Sequence, residues 1–195
     1  MEELPYFEEE RFEKISFAEK SLKKGTYEDC EFIACDLSNA DLSGFKFINC
    51  AFIDCNMSMA KLIDTLLREV AFKDCKMLGL HFEDCKAIGL SFSFENCQLN
   101  HSSFFQCNCR ETDFNNSHME EVDFTESDLS AAVFYACNLD RTIFDQTNLE
   151  KTDFRSSHNY SIDPEVNRIS GAKFSVYGLE GLLRKYDIEV DNSIK

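Results

Sequence analysis

Basic charge is scarce in this chain of 195 residues: 20 Lys and Arg stand against 36 Asp and Glu, a formal net charge of −16 at pH 7. A nucleic-acid ligand is thereby disfavoured, since phosphate binding needs Lys and Arg, and a basic partner is favoured. Solubility of a surface with many outward positions is an equally simple reason for the acidity. Only 7 Gly and 2 Pro occur. No phosphate-binding glycine loop, nucleophile elbow or Cys-x-x-Cys motif is present, and no low-complexity linker divides the chain, so one continuous domain is expected. No apolar run approaches the length of a membrane span, and the start Met-Glu-Glu-Leu-Pro lacks the basic and apolar regions of a secretory signal. A soluble cytoplasmic protein without a membrane partner is the expectation.

What is present is a period. Phe12, Phe32, Phe52 and Phe72 stand twenty residues apart, as do Phe94, Phe114, Phe134, Phe154 and Phe174, and the single irregular step, Phe72 to Phe94, is twenty-two. Fixed periods of this length mark units that bury their apolar faces only by stacking on neighbours. Within each twenty a large apolar residue recurs every fifth position, as in Phe32, Leu37, Leu42, Phe47 and Phe52. Five matches neither the helical period of 3.6 nor the strand period of 2. Two residues before each large residue stands a small one, such as Cys50, Cys55, Ala60, Ser127, Thr147 or Thr152. Residues two apart in extended backbone point the same way, so both members of each pair face an interior while the other three face water. Five residues make one side and four sides make one coil. At about 4.8 Å per coil, roughly eight or nine coils form a rod on the order of 40 Å long. The twenty-two-residue step predicts a two-residue bulge within Cys85 to Phe92, with Leu90 and Phe92 competing with Phe94 for the inward position.

Nine of the ten cysteines, all but Cys109, fall on the small inward position, so they read as compact core residues. Neither a disulfide framework nor a zinc site is expected from a parallel file of thiols in a reducing compartment. Residues 1–10 form an acidic N-terminal edge, with Glu2, Glu3, Glu8, Glu9 and Glu10, that shields the first coil from further strand pairing. Regular coils occupy 11–157, an irregular last coil 158–174 with a bend near Pro164, and a C-terminal cap 175–195. In that cap Leu179, Leu182, Leu183 and Tyr186 have helical spacing, and Ile188 and Val190 alternate with acidic residues as a short closing strand would.

Catalytic constellations are nearly absent. His81, His101, His118 and His158 have no helical His-x-x-x-His pairing. Carboxylates recur at the coil period, Asp54 with Asp74 and Asp64 with Asp84, and cluster in Glu111, Asp113, Glu120, Glu121, Asp123, Glu126 and Asp128. Paired carboxylates do acid and base work only in a pocket that excludes water, which a convex rod does not offer, so an acidic binding surface is the expectation. Asp113, Asp123 and Asp128 precede large inward residues, where they also have a use in local hydrogen bonds.

The quintets Ala40-Asp41-Leu42-Ser43, Ser127-Asp128-Leu129-Ser130, Cys137-Asn138-Leu139 and Thr147-Asn148-Leu149 resemble the pentapeptide-repeat consensus Ala-(Asp/Asn)-Leu-x-x over residues 10 to 174. The resemblance implies an all-β solenoid, a right-handed quadrilateral β-helix with a short C-terminal capping helix. The nearly uninterrupted acidic coils, the lack of an attached enzyme domain and the run Ile162-Asp163-Pro164-Glu165-Val166-Asn167-Arg168-Ile169 resemble the quinolone-resistance (Qnr) and microcin-immunity branch. That resemblance implies a non-enzymatic, cofactor-free DNA mimic. Its acidic rod would bind the DNA-gate groove of a type II topoisomerase, DNA gyrase or topoisomerase IV, and protect it from quinolones or peptide toxins. It also implies a homodimer joined tip to tip through the C-terminal helix. The chain departs from the Qnr pattern in lacking long loop insertions. A general interaction scaffold using one rod face is the alternative.

Overall fold

The computed structural model describes residues 4–17 and 21–189. It is a parallel β-solenoid. One sheet stacks Tyr6–Glu8, Thr26–Glu28, Lys46–Ile48 and Leu66–Arg68. The other stacks Arg11–Glu13, Glu31–Ile33, Ala51–Ile53, Val70–Lys73, Phe92–Glu95, Asp113–Asn115 and Val133–Tyr135. Its register places Phe12 on Phe32, Phe32 on Phe52, Phe52 on Phe72 and Phe72 on Phe94, so the twenty-two-residue step leaves the file intact. Counting sides from the one that carries Phe12, this sheet is the first side and the shorter one the fourth. The second and third sides are ladders of isolated parallel bridges, such as Asp36 to Asn56 and Ser103 to Asp123. Extended pairing in the first side, seven strands and hence six steps, covers about six turns rather than the expected eight to nine. Beyond Val133 the ladder thins to single bridges, Val133 to Asp153 and Asp153 to Lys173.

Aromatic stacking fills the axis. Phe114 lies 5.3 Å from Phe94 and 4.7 Å from Phe134, nearly parallel to both, and meets Phe104 and Phe124 of the third side edge-on. Burying each ring is worth about 1.5–3 kcal/mol, and its stacking geometry adds about 0.5–1.5. The small inward residue has a second task. Cys55 and Cys75 donate their thiols to the Phe32 and Phe52 carbonyls at 3.3 Å, and Thr147 and Ser157 donate hydroxyls to the Phe124 and Phe134 carbonyls at 2.8 and 2.7 Å. Each bond spans twenty-three residues, from one coil to the large residue of the coil before, so thiol and hydroxyl are interchangeable here. All ten cysteines are free and buried. Burial pushes the Cys50 and Cys137 thiols up to about 11, which keeps them protonated donors rather than nucleophiles.

At most corners the coil turns at the second residue after the large one, which adopts the left-handed conformation: φ is 53° at Asp54, 59° at Met59, 55° at Asp64 and 55° at Arg141. For residues other than glycine this costs about 1–2 kcal/mol each. Bonds between coils offset the cost, for example Asn39 N–H to the Ser58 carbonyl and Asp54 N–H to the Lys73 carbonyl, both 2.9 Å.

The C-terminal cap is not an α-helix. Val176–Leu182 and Arg184–Tyr186 are two 3-10 segments. The tighter winding follows from close docking: a Cβ on Gly181 would meet the Tyr160 carbonyl oxygen at 2.5 Å and its ring at 2.6 Å, while the Gly181 carbonyl accepts from Ile162 N–H at 2.9 Å. Leu182 and Phe174 pack half-buried against the core, closing the stack over Phe154 and Tyr160. Ile188 is exposed and outside any strand, contrary to the expected closing strand, whose Val190 lies outside the described residues along with Glu2 and Glu3.

Candidate functional site: acidic edges, cap and slip

Carboxylates that are neighbours in sequence are dispersed over the rod, because successive quintets belong to successive sides. Asp54 and Asp74 stand on the corner after the first side, where Asn96 and Asn116 continue a hydrogen-bonded column: Asn96 donates to Asp74 at 2.9 Å and Asn116 to Asn96 at 2.7 Å. Asp64 and Glu126 occupy the corner after the third side. Asp84 reaches the same edge at the end of the short 3-10 turn Phe82–Asp84. Gln106, between them in the column, donates to Glu126 at 2.8 Å. Glu121 turns the corner after the second side, with Glu120 just before it, and Glu111 turns the corner after the fourth.

The local chemistry separates these groups into two kinds. Asp123 and Asp128 accept the N–H two residues on, Thr125 at 2.8 Å and Ser130 at 2.9 Å, as Asp36, Asp41 and Asp153 do elsewhere. These carboxylates brace a turn. Burial works against ionisation of Asp128, but the Ser130 and Arg110 contacts prevail and hold its carboxyl below the usual range. Asp113 sits in a strand of the first side and is exposed. The corner residues project instead. Glu120 and Glu121 share Arg141, with the Glu121 contact at 2.7 Å, and Glu121 also meets His101 at 3.1 Å. Exposed pairs of this kind contribute about 0–1 kcal/mol to stability.

At the cap, Leu182 and Leu183 are half-buried, whereas Leu179 and Tyr186 are largely exposed. Tyr186 donates to Glu165 at 2.9 Å, and Lys185 reaches Asp163 at 2.6 Å and Glu165 at 2.7 Å, tying the cap to the irregular last coil. Val176 and Tyr177 are 81% and 92% exposed, so the tip presents an apolar surface that the spacing of the leucines did not reveal.

The remaining irregularity is the slip. Lys86 N–H still bonds the Thr65 carbonyl in register, and Val70 is paired with Phe92, so the two extra residues are absorbed between Ala87 and Leu90, with Gly89 at φ 79°. Phe94 keeps the file, Phe92 takes the small inward position, and Ile88 is left 91% exposed. No helix among the described residues is long and apolar enough to cross a membrane, and no three His, Cys, Asp or Glu side chains among them converge to hold a metal ion.

Comparison with known proteins agrees with this architecture. A family model described as pentapeptide repeat region matches residues 25–93 and 80–154. No curated protein matches the sequence significantly. Among solved structures, a trypsin-treated variant of QnrB1, described as a plasmid-mediated fluoroquinolone resistance protein, superimposes with a TM-score of 0.64 at 17% identity, covering 96% of this chain and 98% of that one. A second trypsin-treated variant of the same protein gives 0.60 at 17% identity, covering 97% and 100%. At such identity the likeness concerns the fold.

Proposed function

Because the chain belongs to the pentapeptide-repeat family, we propose that it is a non-catalytic acidic rod that binds the basic DNA-gate groove of a type II topoisomerase and protects the enzyme from poisons. The observation that carries the reading is the continuous acidic solenoid, closed by a cap, whose fold extends over 96% of the chain in its likeness to a fluoroquinolone resistance protein. Function in such a molecule lies in what the rod displays. Duplex DNA carries one charge per about 1.7 Å, far denser than this surface, so mimicry rests on width and on stripes of corner carboxylates. Glu111, Glu120, Glu121 and Glu126, with Asp54, Asp64, Asp74 and Asp84, form those stripes. The exposed Val176, Tyr177 and Leu179 at the tip are the surface through which two rods would pair, presenting a longer acidic face. Cytoplasmic residence follows from the same reading.

Binding of this origin weakens steeply with salt. The test is affinity of the purified chain for DNA gyrase and topoisomerase IV over a range of ionic strength. Tight, salt-sensitive binding that is lost when Glu120, Glu121 and Glu126 are changed together to Gln supports the proposal. Binding indifferent to both favours instead a scaffold that uses the apolar residues around the slip.

A further inference from the structure

The fourth side departs from the acidity of the rest of the rod. Its register sets Thr26, Lys46 and Leu66 in one outward column and Glu28, Ile48 and Arg68 in the other. Lys86 extends the first column, because its N–H bonds the Thr65 carbonyl at 2.9 Å just as the Leu66 N–H bonds the Phe45 carbonyl at 2.9 Å. The surface is a checkerboard: Lys46 beside Ile48, Leu66 beside Arg68, then Lys86 followed by Ile88, with Asn108 and Arg110 on the next coil. Four successive coils therefore show one cation and no carboxylate at the two outward positions of one side. No other side among the described residues does so for even two.

The cations of this strip are unspent. Arg110 pairs with Asp128 at 3.4 Å, whereas Lys24, Lys46, Arg68 and Lys86 form no ion pair among the described residues. Lys24 joins the strip because Gly44 leaves room for it: the Lys24 Nζ lies 2.6 Å from where a Gly44 Cβ would stand, on the corner that leads to Lys46. Between the cations, Ile48 and Leu66 are half-buried and Ile88 is 91% exposed. Carboxylates border the strip without entering it, Asp64 and Asp84 on one corner, Glu69 and Glu111 on the other, and Glu28 at its N-terminal end. This frame is selective. The cations call for anionic groups, but the bordering carboxylates repel a continuous polyanion wider than the strip, and phosphates have nothing to place on Ile48 and Leu66. A protein segment that carries both carboxylates and apolar side chains matches both kinds of square.

We propose that the fourth side between Lys46 and Arg110 is a docking face for an acidic and apolar segment of a protein partner. Its carboxylates meet Lys46, Arg68 and Lys86, and its apolar side chains lie on Ile48, Leu66 and Ile88. The face is opposite in charge to the corner stripes offered to a DNA gate, and it stands whether or not the partner of those stripes is a topoisomerase.

The test is amide NMR of the full chain at low salt. The probes are the peptide acetyl-Glu-Leu-Asp-Ile-Glu-Leu-Asp-amide, its neutral Gln and Asn analogue, an analogue with Ser for Leu and Ile, and a thymidine oligonucleotide. Saturable shifts centred on Lys46, Ile48, Leu66, Arg68 and Lys86 are expected from the first peptide, with binding about tenfold weaker or less for both analogues. Changing Lys46, Arg68 and Lys86 together to Gln should weaken the first peptide by about tenfold or more. The same change at Lys76, Lys151 and Arg184, outside the strip, alters net charge equally and should leave binding within about twofold. Both spectra report their own folding. Equal binding of either analogue, equal losses in the two triple variants, shifts centred elsewhere, or no shifts at all overturn the face. An oligonucleotide that binds there more tightly than the acidic peptide would assign the strip to nucleic acid and overturn the choice of a protein partner.

Discussion

Replacing Phe114 by Ala tests the claim that the aromatic file holds the rod together. Phe114 is fully buried, stacked between Phe94 at 5.3 Å and Phe134 at 4.7 Å, and contacts Phe104 and Phe124 edge-on at 6.0 and 5.8 Å. Loss of transfer free energy contributes about 2–3 kcal/mol. The lost ring contacts and the cavity that stacked coils cannot collapse around bring the total to about 4–5, the upper end for such truncations. Phe174 provides the internal comparison. It is half-buried at the cap end, with only Phe154 at 5.5 Å and Tyr160 at 5.8 Å as ring neighbours, so Phe174→Ala should cost about 1.5–2.5 kcal/mol. Coils of a solenoid contact only their neighbours, so the central substitution interrupts propagation from both directions while the terminal one frays a single end. Urea unfolding followed by circular dichroism measures both. Equal costs at the two sites, or a loss below about 1 kcal/mol at Phe114, would refute the reasoning that stacking continuity is the main stabilising term.

Three further outcomes follow from the geometry. Gly181→Ala forces a methyl into the Tyr160 backbone and ring and should detach the cap. The measurement is hydrogen exchange of the Ile162 amide, which bonds the Gly181 carbonyl at 2.9 Å, and unchanged protection there would contradict the docking. Acid should destabilise the coil turns: the Ser38 bonds lower the Asp36 carboxyl, and the Arg155 contacts lower that of Asp153. Since these folded-state values lie below the unfolded ones, their stability is complete above the ordinary carboxylate range and is lost as pH falls through the folded values, below about pH 4. Urea midpoints at pH 7, 4 and 3 should therefore fall mainly across the last interval. Finally, Asp123→Ala and Asp128→Ala, which remove turn bonds, should each cost about 1 kcal/mol of stability, while Glu121→Gln and Glu126→Gln on the corners should change stability by less than about 0.5.

The fold was legible because its signal is redundant. Each coil repeats the same small and large inward pair, so the Phe12 to Phe174 file survives even the twenty-two-residue step. The corners were not legible, since the left-handed position accepts Ala34, Met59, Arg141 and Lys151 as readily as Asp or Asn, and inter-coil bonds rather than side-chain identity hold it. The run from Glu111 to Asp128 looked like one acidic patch in the chain, yet each five residues turn a right angle and carry its members to different edges. The cap was legible as a short helix but not in its winding: leucines at helical spacing do not report that Gly178 and Gly181 lie against Tyr160, where the tighter 3-10 form is found. The slip revealed its place in the sequence and concealed its content. A missing large residue leaves a step in a count, whereas the inward turn of Phe92 and the exposure of Ile88 appear only once the neighbouring coils are stacked.

The most direct measurement of function is a cleavage-complex assay with DNA gyrase, low salt and stoichiometric rod, in the presence of a quinolone and, separately, a peptide poison. An acidic rod seated in the DNA gate should lower poison-stabilised cleavage, and the effect should fade as salt is raised or when Glu120, Glu121 and Glu126 are neutralised. Cleavage and supercoiling unaltered by the rod under all these conditions would contradict topoisomerase binding as its role.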